Sequence, residues 1–129
     1  MKKMTALLLA VLMVLSMAAC ASKPAEESDL AYIQDKGTLV VGITDFAPMD
    51  YQNESGEWIG FDADLAKAFA DSLGVKVEFV EVVWDNKVLE LDSKTIDCVW
   101  NGMTLTSEVT SAMACSNAYC NNAQVIVTK

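Results

Sequence analysis

Across residues 60–74 the apolar side chains Phe61, Leu65, Phe69 and Leu73 recur every four places, a spacing that predicts an α-helix with one slowly drifting apolar stripe. The stripe is expected to be buried, with Phe69 at its middle. Asp62 and Asp64 stand where a helix start favours negative charge and a side-chain cap. Gly74 follows the last stripe residue, where helices commonly end left-handed. Directly afterwards, residues 75–80 (Val-Lys-Val-Glu-Phe-Val) alternate apolar and polar, which predicts a strand. Before the helix, residues 39–43 (Leu-Val-Val-Gly-Ile) form a short apolar run of buried-strand type. Strand, helix and strand make the βαβ unit of a parallel sheet, so the pattern predicts an α/β fold.

The remaining pattern surrounds this unit. Residues 31–37 predict a short helix stopped at Gly37, and residues 53–57 a turn of a hairpin closed by Trp58 and Ile59. Residues 84–94 predict a short helix whose Val88, Leu89 and Leu91 pack on the sheet. Residues 96–100 predict a third strand, and residues 122–128 a last apolar one. Open parallel sheets bind ligands beyond the carboxyl ends of their strands. Asp45 and Phe46 follow the first strand, Trp84 the second, and Asn101, Gly102, Met103 and Thr104 the third. Position alone favours Phe46 as a core residue. Gly102 permits close backbone approach, and Thr104 is expected to open another helix, either as an ordinary cap or as a carboxylate cradle.

Composition then removes several classes of chemistry. The 129 residues hold nine lysines, no arginine, no histidine and eighteen acids, for a net charge of −9. Such a surface repels nucleic acid. Histidine, the usual general base and commonest metal ligand, is missing, and the four cysteines lack zinc-knuckle spacing. Neither a metal nor another cofactor is expected. The chain opens with Lys2, Lys3, an apolar run over residues 6–15 and small residues, which is a secretory signal pattern. Met17-Ala18-Ala19-Cys20 resembles a bacterial lipobox, making Cys20 the expected lipidation site. Loss of the signal would carry the charge from −9 to −11. Residues 21–29 are small, polar and acidic, the expected tether, and residues 30–129 the folded domain. Cys98 is expected to be a small buried hydrophobe. Cys115 and Cys120, five apart, could close a disulfide or stand as free thiols.

The residues Gly60-Phe61-Asp62-Ala63-Asp64-Leu65 resemble the signature of the family 3 extracellular solute-binding proteins of amino-acid ABC importers. Residues 39–48, the run from Ile96 and Asp97 to Glu108, and Ser116 with Tyr119 are similar to further segments of that family, in order. The resemblance implies a type II periplasmic-binding-protein-like lobe, a mostly parallel sheet flanked by helices, ending at a hinge strand with the second lobe absent. It implies an amino-acid ligand, a permease partner, membrane attachment through the Cys20 lipid, and a place on the outer face of the cell membrane. Phe46 would stack on the ligand, with Asp45 near the entrance and Trp84 walling its side-chain pocket. The Gly102 carbonyl would take the ammonium, Thr104 the carboxylate, and Asn101 and Met103 would line the floor. Val109 stands where the family usually has a carboxylate-clamping arginine, and Ala114, Cys115 and Ala118 also depart from its pattern. A binding protein and not an enzyme is expected, with a non-transporting remnant or interaction module, and then dehydratase-like chemistry on the same fold, as alternatives.

Overall fold

Thr38–Ile43 (β1) is the middle strand of a three-stranded parallel sheet in the computed structural model, which describes residues 28–123 and 125–129. The chain divides into two units, Met1–Tyr32 and Ile33–Lys129. The described part of the first is residues 28–32, where the Tyr32 amide donates to the Ser28 carbonyl at 3.0 Å. Helix α1 (Asp29–Lys36) begins there and closes at Gly37, whose amide donates to Ile33. Its start at Asp29 takes one residue from the expected tether. The signal segment, Cys20, the rest of the tether and Gln124 lie outside the described residues.

Within the second unit, β2 (Tyr51–Gln52) and β3 (Trp58–Ile59) form the expected hairpin. Helix α2 (Phe61–Leu73) crosses to β4 (Lys76–Glu81), which pairs in parallel with β1 from Thr38↔Lys76 to Ile43↔Glu81. A 3-10 turn, Trp84–Asn86, leads into α3 (Lys87–Asp92). Strand β5 (Cys98–Val99) pairs with the other edge of β1, and α4 (Ser107–Ala112) follows. The order β4-β1-β5 places all three carboxyl ends at one edge, so the βαβ reading holds.

The face that α2 buries differs from the expected one. Ala63, Ala66 and Ala70 lie against the sheet at 0–1 % exposure, while Phe61, Leu65 and Phe69 are 54 %, 37 % and 44 % exposed. Of the stripe, only Leu73 packs on the main core of Leu39, Val41, Ala66, Ala70 and Val75. The helix is turned by about a quarter-turn from the expected setting, because alanines let its backbone approach large sheet side chains closely. Phe69 instead tilts against Trp100 with ring centroids 5.6 Å apart.

Three further expectations are corrected. Leu89 is 65 % exposed and does not pack on the sheet, whereas Val88 and Leu91 are half-buried. Val125, Ile126 and Val127 are 80–91 % exposed and form no strand, having no sheet edge as partner among the described residues. No side chain caps the start of α2. Its first amides are met by backbone: Phe61 donates to the Pro48 carbonyl at 3.3 Å and Asp62 to that of Met49 at 2.9 Å. Gly60 makes this meeting sterically feasible, since at φ 120 any Cβ would run into the Met49 carbonyl. Gly74 closes the helix left-handed, as its position implies.

Candidate functional site

Three loops leave the carboxyl ends of β1, β4 and β5 at one edge of the sheet. The first turns sharply: the Phe46 amide donates to the Asp50 carbonyl at 2.6 Å, and the Asp50 amide returns to Phe46 at 3.1 Å. Because Pro48 and Met49 in the same loop receive the amides of α2, the loop is fixed at both its base and its flank. Phe46 is left 51 % exposed and is not a core residue; Asp45 beside it is exposed. A bulky ring half out of a tightly bonded loop is a surface for contact.

Gly102 faces that ring. A Cβ added there would lie 3.4 Å from Phe46 Cε1 and 3.5 Å from Asp62 Oδ2, with the backbone at φ 53. The structure thus brings Phe46 and Gly102 together. Asn101 is 9 % exposed and ties the two loops: its Oδ1 accepts from the Thr44 amide at 3.2 Å, and its Nδ2 donates to Thr44 Oγ1 at 2.6 Å. Met103 is half-buried. Thr104 is exposed and accepts from Asn122 Nδ2 at 2.8 Å. The residue that caps α4 is Thr106, which accepts from the Val109 amide, and not Thr104. Trp84 is half-buried at the same sheet edge, with Lys87 Nζ 4.5 Å above its ring. Cys115 and Cys120 are both exposed and stand as free thiols in this structure. Cys98 packs against the core, where burial first and the neighbouring Asp97 second push its thiol up to about 12.

Beneath this surface lie groups that the sequence reading did not mark as a site. Asp50 and Asp62 are both 0 % exposed. Tyr119 Oη donates to Asp62 Oδ1 at 2.8 Å, and its ring stacks on Phe61 at 6.2 Å. Asp62 Oδ2 and both oxygens of Asp50 have no hydrogen-bond partner among the described residues. Burial, and then the charge of Asp62, push the Asp50 carboxyl from 3.8 up to about 7; the nearby Ala63 amide offsets this in part without forming a hydrogen bond of normal geometry. Burial and the bond to Asp62 also push Tyr119 upward, against a smaller opposing effect of the Gly102 backbone. One signal was available for Asp62: it precedes Ala66 and Ala70 at four-residue spacing and so shares their inward face.

The arrangement presents an aromatic face, backbone polar groups and a threonine hydroxyl on a rigid edge, a set suited to holding a small zwitterion. Among the described residues no three acidic or cysteine side chains gather as metal ligands, and no helix is long and apolar enough to cross a membrane.

Comparison with known proteins bears on the same region. The model of the bacterial extracellular solute-binding proteins, family 3, matches residues 39–129. The L-cystine-binding protein TcyJ of Escherichia coli K12 is 35 % identical over 85 residues, covering 65 % of this chain and 32 % of the relative. The cyclohexadienyl dehydratase of Pseudomonas aeruginosa is 36 % identical over 95 residues, covering 73 % and 35 %. Among solved structures, the arginine-bound form of domain 1 from TmArgBP superposes with a TM-score of 0.59 at 40 % identity, covering 62 % of this chain and 64 % of that one. The chain thus spans about a third of the length of these two curated relatives.

Proposed function

Because the chain belongs to the bacterial extracellular solute-binding proteins, family 3, we propose that it captures a free amino acid outside the cell membrane as the binding component of an ABC importer. The observation that carries this reading is the half-exposed Phe46 ring set against Gly102 at the carboxyl edge of the sheet. The ring stacks on the ligand, the Gly102 carbonyl meets the ammonium, and Thr104 receives the carboxylate. Trp84 bounds the side-chain pocket, Asp45 flanks the entrance, and Met103 lines the floor. Asn101, both ends of whose amide are spent on Thr44, supports that floor from behind. That a single domain of a relative was obtained with arginine bound supports a ligand face built from one lobe. The partners are an amino acid and the permease. Cys20 carries the lipid that holds the protein on the outer face of the membrane.

Binding is tested by calorimetric titration of the protein with twenty amino acids, L-arginine and L-cystine among them. A dissociation constant in the millimolar range or weaker is expected, since a water-facing site screens its charge pairs and the arginine clamp is replaced by Val109. No heat with any amino acid at high concentration would leave a non-transporting interaction module as the better reading. The anchor is tested separately: Cys20→Ser should move the protein from the membrane to the soluble fraction. The dehydratase relative motivates a second reading as an enzyme, which requires an acid or base facing the ligand. On the exposed surface Asp45 is the candidate, and turnover of a cyclohexadienyl substrate, lost in Asp45→Asn, would establish it.

A further inference from the structure

Asp50 and Asp62 are sealed under the ligand face, yet three of their four carboxylate oxygens have no hydrogen-bond partner among the described residues. The fourth, Asp62 Oδ1, accepts from Tyr119. Two bare carboxylates in such a place repel one another and lack the water that stabilises charge, so the stable form keeps a proton on Asp50. Lys67, on the same helix as Asp62, is engaged by the Trp58 carbonyl at 2.8 Å and by Glu57 and Asp64. The titratable groups acting on the cluster are Asp50 from the loop after β1, Asp62 from α2, and Tyr119 with Cys120 from the segment after α4.

Both acids are joined to the walls of the ligand face. Asp50 exchanges two backbone hydrogen bonds with Phe46. Asp62 Oδ2 borders the space beside Gly102 that Phe46 Cε1 also borders. Tyr119 reaches Asp62 from a segment that is otherwise exposed, and the Gly102 backbone acts on its hydroxyl. We propose that Asp50 holds a proton beside the buried Asp62 carboxylate and that the two acids, with Tyr119, act as positioning residues that hold Phe46 and Gly102 in register for amino-acid binding. This rests on the ligand face described above. Loss of the proton puts two like charges into a dry site. The Phe46 loop is held by its backbone bonds, so the turn at Gly102 is the part that yields, the two walls move apart and affinity falls.

The test is a ligand-free titration from about pH 5 to about pH 9 of protein carrying ¹³C-labelled aspartate carboxyls, with amide spectra recorded alongside. One carboxyl step is expected near about 7, not in the ordinary range, and the Phe46 and Gly102 amides should shift with the same midpoint. Asp50→Asn, which keeps the shape and removes the proton exchange, should abolish that step and hold both amides still across it. Should this variant not fold, Asp62→Asn serves from the other side. Removing the repelling charge lowers the Asp50 midpoint, and the amide shifts should follow it down. A fall in affinity for L-arginine through the same midpoint, absent in Asp50→Asn, completes the expectation. The proposal is overturned if every aspartate titrates in the ordinary range, or if the neutral step occurs while Phe46 and Gly102 stay still. Because the carboxyl step is read without ligand, a coupled step in a protein that binds no amino acid overturns the ligand-binding function and leaves the Asp50 proton standing.

Discussion

Lys36 Nζ lies 2.7 Å from Asp97 Oδ2, and the same oxygen accepts the Val40 amide at 2.7 Å. The Asp97 amide in turn donates to the Val40 carbonyl at 2.8 Å, so one residue fastens the start of β5 to β1 and to the end of α1. The carboxylate side chain is 5 % exposed and that of the lysine 29 %. Asp97→Ala should therefore cost about 2–3 kcal/mol, since it removes a nearly buried carboxylate's ion pair and leaves the Val40 amide without its acceptor. Lys36→Met leaves the amide bond in place and should cost about 1 kcal/mol or less. Urea denaturation of both variants checks this, and equal losses would mean that the Val40 bond contributes nothing.

The alanine face of α2 should be the sensitive one. Ala66→Leu forces a larger side chain into a position with 0 % exposure and should cost about 1–3 kcal/mol. Phe69→Ala removes a half-exposed ring and its contact with Trp100, for about 1 kcal/mol. A thermal melt in which Phe69→Ala is the more damaging of the two would reverse the assignment of the buried face.

Stability should fall as pH rises across the window set by Asp50. Its folded-state value is raised, so the protonated carboxyl stabilises the fold in full below its ordinary 3.8, and that contribution is lost as pH climbs to about 7. In Asp50→Asn this part of the pH dependence is absent. Melting temperatures of parent and variant should thus diverge from about pH 3.8 to about pH 7, the parent losing ground, and then run parallel. Curves that remain parallel throughout would show that Asp50 titrates alike in folded and unfolded chains.

Val109 is half-buried in the first turn of α4, where a guanidinium would sit beside the Thr104 segment. Val109→Arg should strengthen amino-acid binding by roughly 1 kcal/mol, about fivefold, because a planar fork can pair with both carboxylate oxygens. Adding Thr104→Val should remove most of the gain if both groups hold one carboxylate. Calorimetry reads both steps, and additive effects of the two changes would separate Thr104 from the ligand.

The βαβ unit was legible because each of its signals is local. The strand runs, the four-residue spacing and the glycines at 37, 74 and 102 each describe their own neighbourhood. The rotation of α2 was not, since periodicity finds an apolar stripe without saying which flank the sheet accepts. Small residues decided it: Ala63, Ala66 and Ala70 add little hydrophobicity to a pattern but permit the closest approach. Likewise, Asn101 gave no hint that its amide would be spent on Thr44, 57 residues earlier. Phe46 and Gly102 were placed by resemblance and not by periodicity, and their contact depends on chain segments far apart in sequence. Asp50 carried no local signal at all, because its burial is made by α2 and the turn at Phe46 together.

The central place of β1 also sets an order of assembly. Its first partner, β4, pairs Thr38 with Lys76, whereas β5 pairs Val41 with Cys98 across a longer span of chain. Closing the shorter loop carries the smaller entropy cost, so the β1–β4 pair forms first, with α2 packed over it. The Phe46 loop takes its shape at that stage, but Gly102 arrives only when β5 docks. Half of the ligand face therefore forms before the other half docks, and amide protection in the β1–β4 pair should precede protection at Asp97 and Trp100.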